Sequence, residues 1–187
     1  RYLTDFKSKG YVGGIDFKIN GEFVPGIESW ANLSIMQTKE DIIGDRKVIY
    51  LNSDGEQIFQ GFTFNNIVVD SIVTFPGYLP RPTDQRVSFS LFFQDYFPNN
   101  PTFKMHLGLY FGTGLPFGPP TTDKYKHVFR MPPYRRVDVG FSKQFISEGG
   151  KRISWLSYVK NAWVSVEVFN LLQISNTISY VWIEDVN

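Results

Sequence analysis

The feature that most constrains this chain is a two-residue rhythm of apolar and polar side chains, repeated in long segments, with almost no helical periodicity between them. The clearest segment is Arg86 to Phe93, where Val87, Phe89, Leu91 and Phe93 fall on one face. Ser88, Ser90 and Gln94 fall on the other, with Phe92 as the exception. After Pro98-Asn99-Asn100-Pro101, which reads as a tight hairpin connection, Phe103, Met105, Leu107, Leu109 and Phe111 alternate with Lys104, His106, Gly108, Tyr110 and Gly112. Tyr11 to Asn20, Ser29 to Thr38, Tyr134 to Phe145 and Asn161 to Asn170 repeat the pattern. Strands of about ten residues suit a tilted membrane crossing, whereas strands of soluble proteins average about five or six.

The connections sharpen that reading. Asn20 to Gly26 and Pro98 to Pro101 are short, Asp41 to Gln85 and Gly114 to Pro133 are long, and Ile146 to Lys160 is intermediate. In an antiparallel meander successive connections lie at opposite ends, so short turns gather at one end and long loops at the other. Outer-membrane barrels have this asymmetry. Aromatic residues make up 17% of the chain, and they mark both strand ends. Phe23, Trp30, Phe97, Phe103, Phe145 and Trp163 lie toward the short turns; Tyr11, Tyr110, Phe111, Tyr134 and Phe169 lie toward the long loops. The expectation is a pair of interfacial girdles. The competing fold is a soluble β-sandwich whose apolar faces meet in a core, with carbohydrate stacking as the use of its aromatics.

Composition removes other classes. The chain has no cysteine and two histidines, so neither a disulfide scaffold nor a histidine metal centre is expected. A net charge of +1 gives no reason to expect nucleic acid. No apolar run is long enough for a transmembrane helix, and a mean hydropathy of −0.18 is compatible with alternating membrane strands. Gly112-Thr113-Gly114 leads into Leu115-Pro116 rather than a helix, so it reads as loop chemistry and not a phosphate loop. Asp41, Asp45, Asp54 and Glu56 share one loop and read as solvated rather than calcium-binding. No catalytic constellation is present in the pattern, and neither an enzyme nor a cofactor is expected.

Three strings carry a family resemblance. They are Gly77-Tyr78-Leu79-Pro80-Arg81-Pro82-Thr83-Asp84-Gln85-Arg86 with the Phe89–Tyr96 and Gly112–Pro120 pieces; Met131-Pro132-Pro133-Tyr134-Arg135-Arg136-Val137-Asp138; and Glu167-Val168-Phe169-Asn170-Leu171-Leu172 with Asn176-Thr177-Ile178-Ser179-Tyr180. Together they resemble the C-terminal part of the barrel of a TonB-dependent outer-membrane receptor. Phe169-Asn170-Leu171-Leu172 is similar to the family's Asn-Leu-Phe-Asp element, with Leu172 where the family has Phe.

The resemblance implies that residues 1–187 form one unit. That unit would be an antiparallel up-and-down segment of about six long strands from a transmembrane β-barrel of about 22. The expected location is the bacterial outer membrane, and the expected function is TonB-energised uptake of a scarce nutrient. The implied partners are outer-membrane lipid, the receptor's own plug and remaining strands, and the TonB complex acting through an N-terminal part. Both ends of the chain read as cut, with plug and closing strand outside it. Lys104, His106, Asp138, Ser165 and Glu167 are then expected to face the lumen. Tyr78, Arg81, Phe117, Tyr125, His127 and Arg130 are the loop candidates for ligand contact.

Overall fold

The computed structural model describes residues 7–119, 124–126, 129–147, 149 and 158–183. The chain is all-β and antiparallel. Six strands form an up-and-down sheet in the order β1 (Ser8–Val24), β2 (Ile27–Ile42), β6 (Val87–Phe97), β7 (Asn100–Gly112), β10 (Tyr134–Ile146) and β11 (Ala162–Val168). The short β5 (Leu79–Pro80) adds to β2 through Lys39 and Glu40. Among the described residues the sheet does not close: β1 and β11 form its two edges.

Tight turns join neighbours at one end. Pro25-Gly26 links β1 to β2, with Gly26 in the left-handed region at φ 78°. Its N–H donates to Glu22 Oε2 at 3.0 Å. Pro98-Asn99 links β6 to β7, with Asn99 at φ 61°, a conformation asparagine tolerates better than most residues. At the opposite end the long connections are themselves built as ribbons. Residues 43–86 contain the hairpin β3 (Lys47–Leu51) and β4 (Asp70–Thr74), and residues 113–133 contain β8 (Pro116–Phe117) paired with β9 (Phe129–Arg130). The sequence pattern alone read both stretches as plain loops.

Strand register joins the apolar positions into one surface. The row Phe17, Leu33, Phe89, Phe111 crosses four strands on one face, and the next row is Ile19, Ala31, Leu91, Leu109, Val137. Lower rows carry Phe93, Leu107, Val139 and Val168, then Met105, Phe141 and Val166. This face is open. Ile15, Phe17, Ile19, Phe141, Val164 and Val166 are all exposed. The buried side chains are mostly polar. Among those described, only Ile27 and Ile146 are buried hydrophobics, whereas Ser29, Thr38, Glu40, Asn52, Asp84 and Asp138 are buried polar or charged groups.

The band does not follow the hydrogen-bonded rows. Its centre on β1 is Phe17, whose row reaches Phe111 on β7. Its centre on β11 is Val166, whose row reaches Phe141 and then Met105 on β7. Over the five steps from one edge strand to the other, the centre slips six residues along the strands. That is about 20 Å along for about 24 Å across, so the band runs at about 40° to the rows. Charges bound it. Arg135 and Lys143 lie on this face at the two ends of β10, and Lys143 bends to donate from Nζ to Thr102 Oγ1 at 2.6 Å.

The expected aromatic girdles are corrected by the register. Phe103 and Phe111 lie on the apolar face, but Trp30, Tyr110, Tyr134 and Trp163 sit in rows of the polar face, and Phe169 lies by Arg136 on that side. The reason is local: Tyr110 covers Gly108 and Arg136, Trp163 covers Lys104, the Tyr134 hydroxyl accepts from Arg136 Nη1 at 3.3 Å, and Trp30 stacks on Phe92. Their positions at strand ends set height along the sheet but not face.

Candidate functional site

The five lumen candidates share the polar face. Its rows hold Gln94, His106, Gly140 and Glu167, then Tyr96, Lys104, Ser142 and Ser165. Missing side chains at glycines make room for large neighbours. A Cβ on Gly140 would run into the His106 ring, and one on Gly108 would meet the Tyr110 ring at 3.1 Å. The His106 ring occupies the space over Gly140, with Nε2 3.5 Å from Glu167 Oε1 and its ring 5.5 Å from that of Phe92. Lys104 Nζ sits 4.7 Å from the Trp163 ring centre and 5.2 Å from that of Tyr96, a cation held between two π faces. Ser165 Oγ and Ser142 Oγ are hydrogen-bonded at 2.8 Å.

Asp138 does structural work within this face. It is 7% exposed. Its carboxylate accepts from Arg136 Nε at 2.9 Å and from the Asn170 N–H at 2.9 Å. Arg136 in turn stacks 4.7 Å over Tyr110. Asn170, at φ 53°, turns the chain out of β11, and its side-chain amide exchanges two bonds with the Ile174 backbone. Six residues on, Asn176 uses its side-chain amide like a strand. It accepts from the Arg135 N–H at 2.9 Å and donates to the Arg135 carbonyl at 2.8 Å. Thus β11 ends while the edge of β10 above it stays paired.

At the long-loop end, the hub is Asp84, which is fully buried. Its carboxylate accepts from the Thr38 N–H at 2.7 Å, from Arg86 Nε at 2.7 Å and from the Arg130 guanidinium. Arg130 Nη1 also donates to the Asp84 carbonyl at 2.8 Å and to the Gly114 carbonyl at 3.0 Å. Burial alone would raise the Asp84 pKa. The Thr38 N–H and the two guanidiniums outweigh it and hold the carboxyl below its ordinary value of 3.8. One carboxylate therefore ties β2, the turn before β6 and the β8–β9 ribbon together.

The ribbon carries an aromatic cluster. Phe117 stacks on Tyr180 at 4.5 Å between ring centres and 14° between planes, with Phe129 at 5.7 Å and Trp182 at 6.4 Å. Phe129, Tyr180 and Trp182 remain exposed. Of the loop candidates, Phe117 lies in this cluster, and Arg130 is committed to the Asp84 hub beneath it. Arg81 lies elsewhere, 3.5 Å from the Glu40 carboxylate, and Tyr78 packs against Tyr11 with ring centres 5.5 Å apart. Tyr125 sits in the short 3₁₀ turn Lys124–Lys126, with Lys126 Nζ 5.8 Å from its ring. His127 lies outside the described residues. The sequence pattern assigned no role to Asp84, Phe129, Tyr180 or Trp182. The only local signal for Asp84 is its place in a Pro-Thr-Asp turn with an arginine two residues on.

Gly114 is fixed by close approach. A Cβ there would overlap the Met131 carbonyl at the base of the ribbon. Gly114→Ala is expected to cost about 1–3 kcal/mol of local stability through backbone displacement. The readout is hydrogen exchange at the Met131 N–H, which now donates to the Leu115 carbonyl at 2.9 Å. Unchanged protection would show that the ribbon yields without cost.

No known protein family, curated protein or solved structure matches this chain.

Proposed function

We propose that this chain is a section of the wall and external loops of an outer-membrane β-barrel receptor of the TonB-dependent kind, working in energised uptake of a scarce nutrient. The observation that carries the reading is the slant of the exposed apolar band. Strands of membrane barrels tilt about 35–45° from the barrel axis, so the membrane plane crosses their hydrogen-bonded rows at the same angle. A band at about 40° to the rows is what a flat bilayer would select. The height agrees too. Arg135 and Lys143 are eight residues apart on β10, about 26 Å along the strand and about 20 Å along the normal once tilted. Arginine and lysine side chains at these two positions are long enough to reach past them, which would let the band extend toward the usual 25 Å or so.

The polar face supports the same reading. It holds paired charges, rings packed against cations and glycines, and two buried acceptors, Asn32 Oδ1 and Thr38 Oγ1, with no hydrogen-bond partner among the described residues. Such a face suits water or a polar plug and not a hydrophobic core. The transport step rests on the resemblance of the three sequence strings; the exposed rings around Phe117 are the surface on which a ligand would first be held.

The alternative is the soluble sandwich with a carbohydrate-stacking surface, and labelling separates the two. The absence of cysteine makes Leu91→Cys and Ser90→Cys clean sites for a fluorophore. In lipid-reconstituted protein, the Leu91 label is expected to be quenched from the bilayer and the Ser90 label from water. A Leu91 label shielded from both quenchers would make that face a protein core and end the receptor reading.

A further inference from the structure

The β3–β4 arm falls outside that reading. The two strands pair with each other, five residues against five. Among the described residues, β3 gains on its far edge only a bridge from Leu51 to Gln57 and the Ile58 N–H donating to the Tyr50 carbonyl at 2.9 Å. Short ribbons of this kind are marginal in water, since three or more full strands are needed for independent stability, and the β4 side carries no added pairing among the described residues. This arm is also apolar. Phe59, Phe62, Phe64, Ile67, Val68, Val69, Ile72, Val73 and Phe75 are all exposed. Val69, Ile72, Val73 and Phe75 lie on or beside β4, and the other five precede it in the connection from β3. A standard interface takes about 800 Å² from each partner, so a contact made at β4 would draw on both groups. No charged residue lies between Glu56 and Asp70.

We propose that the arm is a docking edge for a second copy of this chain, joined through β4 in antiparallel, two-fold symmetric pairing. The argument is the self-complementarity of the edge. All five residues of β4 are exposed, and the edge away from β3 is unpaired among the described residues. Two copies meeting at Ile72 place Ile72 opposite Ile72, Ser71 opposite Val73, Asp70 opposite Thr74, and Val69 opposite Phe75. Every apolar residue meets an apolar or small partner. The two Asp70 carboxylates end about 13 Å apart, too far to repel strongly at physiological salt. Pairing converts two marginal ribbons into one four-stranded sheet, and the contact is isologous, so it closes at a dimer.

Residues 1–187 contain no cysteine, so an introduced one is the sole thiol within them. Directly opposed residues in an antiparallel pair have Cα atoms about 4.5 or 5.5 Å apart, within disulfide reach. Ile72→Cys, in the full polypeptide in its own membrane, is expected to give a disulfide-linked dimer on mild oxidation. Its yield should be at least tenfold above that of Ser53→Cys, which lies on the arm but away from the axis. A monomer whose Ile72→Cys thiol still reacts with a maleimide, or equal cross-linking at Ser53→Cys, overturns the proposal. If Ile72→Cys fails to fold, Ser71→Cys and Val73→Cys take its place. Each is staggered from its own symmetry mate, and only the co-expressed mixture is expected to cross-link. A mixture that stays monomeric overturns the proposal as well.

Discussion

Asp84→Ala is expected to free the β8–β9 ribbon and the Arg81–Arg86 turn from the sheet, at a cost of about 2–3 kcal/mol. Removing the carboxylate leaves the Thr38 N–H without its acceptor and deprives two guanidiniums of their shared anion. Losing one partner of a fully buried pair costs about 3–5 kcal/mol. Here the arginine side chains are about a third exposed, so water recovers part of the loss. The effect should be local. Protease sensitivity and hydrogen exchange should rise between Leu79 and Arg86 and around Met131, while the β7–β10 ladder keeps its protection. Because the folded Asp84 pKa lies below its ordinary value of 3.8, the carboxylate stabilises the hub fully above that value. That stability is lost as pH falls through the depressed folded value. The wild-type ribbon should therefore loosen in acid below about pH 4, and the Asp84→Ala protein should show no such step. Equal acid sensitivity in both would place the controlling carboxyl elsewhere.

The sheet was legible in the sequence because alternation is a local signal. Each of the six segments announces its own face, and Val87, Phe89 and Leu91 need no knowledge of their neighbours to read as one surface. Register then aligns those faces from Phe17 to Val166. The hub was not legible, because its parts are distant. Thr38 and Arg130 each lie 46 residues from Asp84, and nothing local distinguishes Arg130 from a free loop cation. This is why it read as a ligand contact while its guanidinium serves the Asp84 hub. The ring cluster has the same cause, since Phe117 and Tyr180 meet only after β10 and β11 have run between them.

The misplaced aromatics show a second limit. Trp30 and Trp163 stand near strand ends, where a belt was expected, yet their register puts them on the polar face. Trp163 receives Lys104, and Trp30 stacks on Phe92 at 6.1 Å between ring centres. A ring is apolar on its flat side and also a partner for cations, so its presence at a given height does not settle its side. Alternation with neighbours does settle it. Ala31 and Val164 flank those tryptophans on the apolar side and fix the parity of the strand.

An arginine placed on the apolar band is expected to report depth in a way that no protein core would. Leu107 is the central apolar residue of β7, and Phe111 stands at its long-loop end. In a bilayer, Leu107→Arg should cost about 2–4 kcal/mol of folding free energy, because its charge starts near the hydrocarbon midplane. Phe111→Arg should cost about 1 kcal/mol or less from the charge, since at the end of the strand, in the same row as Arg135, the guanidinium would be long enough to reach headgroups and water. Gly108→Arg tests the other face, where a large side chain strikes the Tyr110 ring; its cost is steric and insensitive to depth. Denaturant titrations of the full polypeptide folding into lipid vesicles would measure all three. Repeating them in thinner lipid should shrink the Leu107→Arg cost and leave that of Gly108→Arg unchanged. In a soluble sandwich the Leu107 side would face a second apolar layer, and Leu107→Arg would remain strongly destabilising whatever the lipid. Dependence on bilayer thickness therefore distinguishes a wall that meets hydrocarbon from a sheet that meets protein.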